Sequence, residues 1–103
     1  DKDDQINAIK ERLRNQEKPI DIIREFSDGK AYDLTGCTTE EILYIINQGR
    51  PVIAMTDAQN AVILVGYTET SVIYENVNED VKHSMPYEQM DQTTQGSGNT
   101  YIG

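Results

Sequence analysis

GRPVIAMTDAQNAVILVGYTETSVIYENV, residues 49–77, is the stretch whose reading decides the fold. Pro51-Val52-Ile53-Ala54-Met55 is apolar without alternation, which predicts a strand buried on both faces. Thr56 to Asn60 is a polar break. Ala61-Val62-Ile63-Leu64-Val65-Gly66-Tyr67 predicts a second buried strand, and Glu69-Thr70-Ser71 a tight connection. Val72 to Val77 then returns as an antiparallel partner. Three strands joined by such short connections predict a β-meander.

Upstream of this block, Thr38-Thr39-Glu40-Glu41 is a capping box, with Thr38 as N-cap and Glu41 at the third helical position. Cys37 and Ile42 are placed to form the accompanying hydrophobic staple. Leu43, Ile45 and Ile46 face the core, and Gly49 stops the helix. Further upstream, Ile6, Ile9 and Leu13 recur at helical spacing over residues 3–16, with Lys10, Glu11, Arg12 and Arg14 covering the other sides. Residues 19–27 predict a short helix with Pro19 in its first turn, and residues 30–36 an extended piece and a turn. Downstream, residues 81–85 predict a short strand and Pro86–Thr93 a helix with Pro86 in its first turn. Gln95–Gly98 reads as a loop, and Tyr101-Ile102 as a last strand. Helices first and an antiparallel sheet second make the class α+β. One domain over residues 1–103 is expected, with a helical front over 1–29 and a helix plus sheet over 30–103.

The length of 103 residues suits one small domain. Ile, Val, Leu and Phe together supply 23 residues, enough to build a core but with little reserve. Aspartate and glutamate number 18 against 9 lysines and arginines, a net charge of −9. That balance argues against nucleic acid and against anionic membrane surfaces. No apolar run reaches membrane-spanning length, so no membrane insertion is expected. The chain opens DKDDQ with no apolar segment of signal-peptide type. One cysteine excludes an internal disulfide and a multi-cysteine zinc site.

From Gly49 onward the pattern resembles the C-terminal half of papain-like cysteine peptidases of the bacteriocin-processing (double-glycine leader) type. In that family a helix ending in Gly leads to a Pro-Val-Ile strand, a loop into His-Ala-Val, a Val-Gly-Tyr strand and a strand ending in Asp-Pro. Gly49, Pro51-Val52-Ile53, Ala61-Val62 and Val65-Gly66-Tyr67 match, over roughly residues 34–103. The family's general-base histidine falls on Asn60, and its orienting aspartate falls on Asn76. An amide has no basicity near neutral pH and cannot take a proton from a thiol. The family's nucleophile segment, a Cys-Gly-Pro-like helix start, is absent from these residues. The resemblance therefore implies a degenerate, non-catalytic module of a larger bacterial protein, located outside the cell or on the surface of a Gram-positive bacterium. Its partner would be a peptide or a neighbouring protein domain, and the binding cleft would lie where Asp57, Gln59, Asn60 and Asn76 converge.

Rival readings remain open at this point: a helix-fronted adaptor whose Ile-rich residues 20–26 dock a neighbouring domain, and two peptidase readings. One is a cysteine peptidase using Cys37, which precedes a helix N-terminus, together with His83, the only histidine. The other is the C-terminal part of an active peptidase whose nucleophile lies outside this chain. His83 and the acids around it, Glu75, Glu79 and Asp80, have no metal-site spacing. Neither do Asp57, Asn76 and Asn78, so no metal or other cofactor is expected.

Overall fold

The computed structural model of the chain describes residues 2–103; Asp1 lies outside the described residues. Helix α1 spans Lys2–Arg14, α2 Pro19–Phe26 and α3 Thr39–Asn47. Strands β1 (Val52–Met55), β2 (Ala61–Tyr67), β3 (Ser71–Asn76) and β4 (Lys82–Pro86) follow. Helix α4 (Tyr87–Thr94), a 3₁₀ turn (Gln95–Ser97) and β5 (Tyr101–Ile102) complete the fold. The class is α+β, as the residues predict.

Strands β1 to β3 form the expected meander, and β4 extends it by one strand. The sheet order is β4-β3-β2-β1-β5, antiparallel throughout, so β5 adds beside β1 and not at the β4 end. Between Leu64 and Gly66 the β2–β3 register shifts by one residue, a bulge that carries Val65. The outer side of β5 is occupied: Leu34 N–H donates to Tyr101 O at 2.7 Å, and Tyr32 N–H to Gly103 O at 2.8 Å. The outer side of β4 carries Lys82 and Pro86, residue types that discourage edge pairing.

Strand side chains alternate between faces, and both faces are covered. Val52, Ala54, Val62, Leu64, Val72 and Met85 meet α3 through Ile42 and Ile46, and α4 through Met90. Ile53, Ile63 and Ile102 meet α1 through Ile6 and Ile9, and α2 through Ile22 and Ile23. The result is three layers: α1–α2, the sheet, then α3–α4. This is why residues 51–55 and 61–65 read as continuous apolar runs. Burying each such aliphatic side chain contributes roughly 1.5–3 kcal/mol.

The capping box of α3 is present: Thr38 N–H donates to Glu41 Oε1 at 2.9 Å and Glu41 N–H to Thr38 Oγ1 at 3.2 Å. Cys37 packs against the cluster that holds Ile42, as a staple residue should. Past the helix end Gly49 takes φ +79°, a left-handed conformation that explains the glycine there. Pro19 occupies the first turn of α2, as expected.

Three expectations are corrected. Lys10 does not cover the solvent side of α1. It is 2% exposed and donates to Glu75 Oε1 at 2.6 Å and to the Glu79 carbonyl at 2.7 Å. Its spacing from Ile6 and Ile9 places it inside the apolar stripe, where a charge is tolerated because Glu75 on β3 meets it. Pro86 ends β4 and precedes α4 instead of lying in the helix's first turn; its extended ψ of 148° suits a cap position. Residues 95–97 form a 3₁₀ turn, not an irregular loop.

Candidate functional site

The site builds outward from the β1–β2 connection. Asp57 is the hub of this turn. Its Oδ1 accepts from Gln59 N–H at 2.7 Å and from Asn60 N–H at 2.8 Å, while Oδ2 accepts from the Asn60 side-chain amide at 2.8 Å. Asn60 O in turn accepts from Thr56 N–H at 2.8 Å. These bonds, led by the Asn60 amide, hold the Asp57 carboxyl below the usual carboxylate range. Asn60 is thus a turn-closing residue whose amide is committed to its own loop.

The other side of the turn is braced by the 3₁₀ segment. Ser97 Oγ donates to Met55 O at 2.7 Å and accepts from Thr100 N–H at 3.1 Å. Met55 N–H donates to Thr100 O at 3.0 Å. Gly96 lies so close to this turn that a Cβ built on it would sit 2.6 Å from Thr56 O. Gly96→Ala is expected to force backbone apart at that point and to destabilise by about 1–3 kcal/mol. Urea denaturation gives the loss, and the amide shifts of Thr56 and Asp57 give its location. A variant as stable as the parent would show that the close approach is not needed.

Two depressions open around this turn, on the α1–α2 side of the sheet. The first, about 490 Å³, has Ile20, Met55 and Ile102 as its apolar floor and Asp33, Asp57 and Lys18 on its rim. The second, about 800 Å³, is more polar and runs past Leu13, Arg14, Gln59, Asn60, Val77 and Asn78. Lys18, Pro19, Met55 and Ala58 line both, so the two form one groove with a partition at the α1–α2 connection.

Of the expected cleft residues, Asp57 lines the first depression and Gln59 and Asn60 the second. Asn76 does not join them. It pairs with Val62 in the β3–β2 register, and its amide donates to Glu79 Oε1 at 2.6 Å. Val77 and Asn78, the next residues along, take its place on the groove wall. The Asn76 amide, with a smaller contribution from His83, keeps the Glu79 carboxyl below its usual range. Arg14 steadies this turn by donating to Val77 O at 2.7 Å. Sequence reading missed the contributions of Arg14, Lys18, Asp33 and Ile102, which lie on segments distant in the chain.

Cys37 and His83 are not brought together. Cys37 sits at the start of α3, near the β5 end of the sheet, through Leu34. His83 is on β4, stacked on Tyr74 with ring centroids 5.4 Å apart and 3.4 Å from Glu79 Oε2. β4 and β5 are opposite edges of a five-stranded sheet, four strand spacings or roughly 19 Å apart. Both residues also belong to the α3–α4 side of the sheet, whereas the groove lies on the α1–α2 side. Among the described residues no group of three or more His, Cys, Asp or Glu is placed to hold a metal ion. None of the described helices is long and apolar enough to cross a membrane.

Asp33, Glu41, Asp57 and Glu79 all have carboxyls lowered by hydrogen bonds. A carboxyl lowered in the folded state stabilises above its unfolded pKa, and that contribution is lost as pH falls through the folded value. Thermal melts are therefore expected to hold steady near neutrality and to decline once pH drops below about 4. A melting temperature that rises on acidification would contradict this sign.

No family model matches the chain, and no curated protein does. A crystal structure of a candidate C39-like peptidase from Bacillus anthracis is similar to it, with a TM-score of 0.64 at 23% identity. The match covers 81% of this chain and 55% of that one, so the chain spans about half the length of the solved structure. At that identity the likeness shows the fold: this chain has a C39-peptidase-like fold.

Proposed function

We propose that the chain is a non-catalytic member of this fold, a module that binds a peptide or a segment of a neighbouring protein along the groove beside the β1–β2 turn. The observation that carries the reading is Asn60. It occupies the position that the resemblance assigns to the general base, and its amide is bound to Asp57. An amide so placed neither accepts a thiol proton nor is free to turn toward a substrate. The groove beside it is left open, with an apolar floor and hydrogen-bonding groups on its walls, which is the character of a binding site.

In this reading the chain belongs to a larger bacterial protein that acts at the cell surface, and neither a cofactor nor a metal takes part. The rival pairing of Cys37 with His83 loses support from their positions at opposite sheet edges.

Two measurements on the purified chain test the proposal. The first is hydrolysis of fluorogenic peptides by the parent and by Asn60→His. Neither is expected to turn over, because Cys37, the only thiol, packs on the far face. Turnover abolished by blocking Cys37 with iodoacetamide would end the non-catalytic reading. The second is amide chemical-shift mapping during titration with a mixed pool of short peptides. Perturbations at Ala58, Gln59, Asn60 and Asn78 are expected; a pool that leaves them unmoved removes the binding role.

A further inference from the structure

The first depression has a chemical character of its own, and it narrows what the groove accepts. Its floor is the uncovered end of the α1–α2 core layer. Ile20 and Met55 are partly buried against that layer, and Ile102 belongs to it. The first turn of α2 begins at Pro19; Ile20 and Met55 stay partly exposed beside it, and the largely buried Ile102 completes the lining. Above them stand two exposed carboxylates, Asp33 and Asp57, on the β5 side and the β1–β2 turn respectively.

Both acids are held ionised at neutral pH by hydrogen bonds from their own loops. Thr35 donates its hydroxyl and its N–H to Asp33, and Asn60 and Gln59 donate to Asp57. Among the described residues neither carboxylate forms an ion pair with a basic side chain. Among the described residues of this lining Lys18 is the one cation, and it lines the second depression as well.

We infer that this depression takes an extended peptide segment in which a large apolar side chain is followed by a basic one. The apolar side chain would lie on Ile20, Met55 and Ile102, and the lysine or arginine would sit between Asp33 and Asp57. Charge complementarity selects this occupant: the local carboxylates lack cationic partners, and the whole chain at −9 draws cationic segments toward it. A depression of about 490 Å³ is within the range that holds one or two side chains. The inference rests on the peptide-binding reading of the groove and adds the chemistry of its ligand.

The test uses the ¹⁵N-labelled chain and three end-blocked peptides: Gly-Leu-Lys-Arg-Gly, Gly-Leu-Gln-Gln-Gly and Gly-Ala-Lys-Arg-Gly. The first is expected to shift the amides of Met55, Ala58, Thr100 and Ile102. Each of the other two is expected to bind about tenfold more weakly. Asp33→Asn keeps an acceptor for Thr35 and removes the charge, and is expected to weaken the first peptide about threefold without moving the second. Added salt weakens the first peptide and spares the Gln-Gln one.

Equal binding of the Lys-Arg and Gln-Gln peptides at these residues overturns the inference while leaving the binding role of the groove intact. Shifts scattered over acidic surfaces, with Met55, Ala58 and Ile102 unmoved, overturn it as non-specific attraction. No shift in the groove with any peptide removes the binding reading itself.

Discussion

Replacing Lys10 by alanine is expected to destabilise the fold by about 3–5 kcal/mol, the usual cost of leaving one partner of a buried ion pair behind. The ammonium is 2% exposed and Glu75 is 6% exposed, so solvent barely screens the pair. Truncation leaves the Glu75 carboxylate facing the α1 layer. Its remaining cation, Lys82, is 4.0 Å away and largely in water. The variant also withdraws the donor from Glu79 O and the 3.7 Å contact with Asp80, both on the β3–β4 turn. At roughly 4–8 °C per kcal/mol for a domain of this size, the melting temperature should fall by about 12 °C or more.

The double variant Lys10→Met/Glu75→Leu separates a charge left behind from a lost anchor. It removes both ions and supplies apolar volume, so it should recover most of the loss. Urea melts of the two variants beside the parent decide the matter. If Lys10→Ala costs under about 1 kcal/mol, the pair does not hold α1 to the sheet.

Ile63→Ala should cost about 2–5 kcal/mol, and Ile63→Val about 0.5–1.5 kcal/mol. Ile63 is fully buried in β2, opposite Ile53 on one side and Glu75 on the other. It faces Ile9, Ile22 and Ile23 through the α1–α2 layer. Removing its outer methyl groups opens a cavity in the centre of the sheet, where neighbouring strands on both sides prevent collapse. Equal losses for the two substitutions would show that the site relaxes around the void. Because Ile63 and Glu75 are cross-strand neighbours, Ile63→Ala combined with Lys10→Ala should not be additive.

The elements were legible wherever a local rule sufficed. The α3 capping box and its glycine stop are short-range geometry, written in Thr38, Glu41 and Gly49. The apolar runs at 51–55 and 61–67 marked strands with both faces covered, and the short turns fixed antiparallel pairing. Lys10 was misread for the opposite reason. Periodicity puts it in the buried stripe of α1, but only a carboxylate 65 positions away makes that burial tolerable.

The candidate site was half legible. Asp57, Gln59 and Asn60 are sequence neighbours, and the turn that joins them is local. Asn76 was expected beside them, yet its amide donates to Glu79 Oε1 in the β3–β4 turn. Asp33, Ile20 and Ile102 reach the groove only through pairing of the 32–34 segment with β5 and docking of α2 on the sheet. Nothing in their immediate sequence marks them.

By itself the sequence determined the α+β class, the meander and the substitution of asparagine at the position where the resemblance expects a base. These follow from backbone periodicity, turn chemistry and the identity of single residues, all of which act over a few positions. The tertiary structure alone decided which side of the sheet carries the groove and which charges meet across it. It also decided that Cys37 and His83 stand at opposite edges of the sheet. The strand order β4-β3-β2-β1-β5 sets those separations, and strand order is a property of long-range packing that no local pattern encodes.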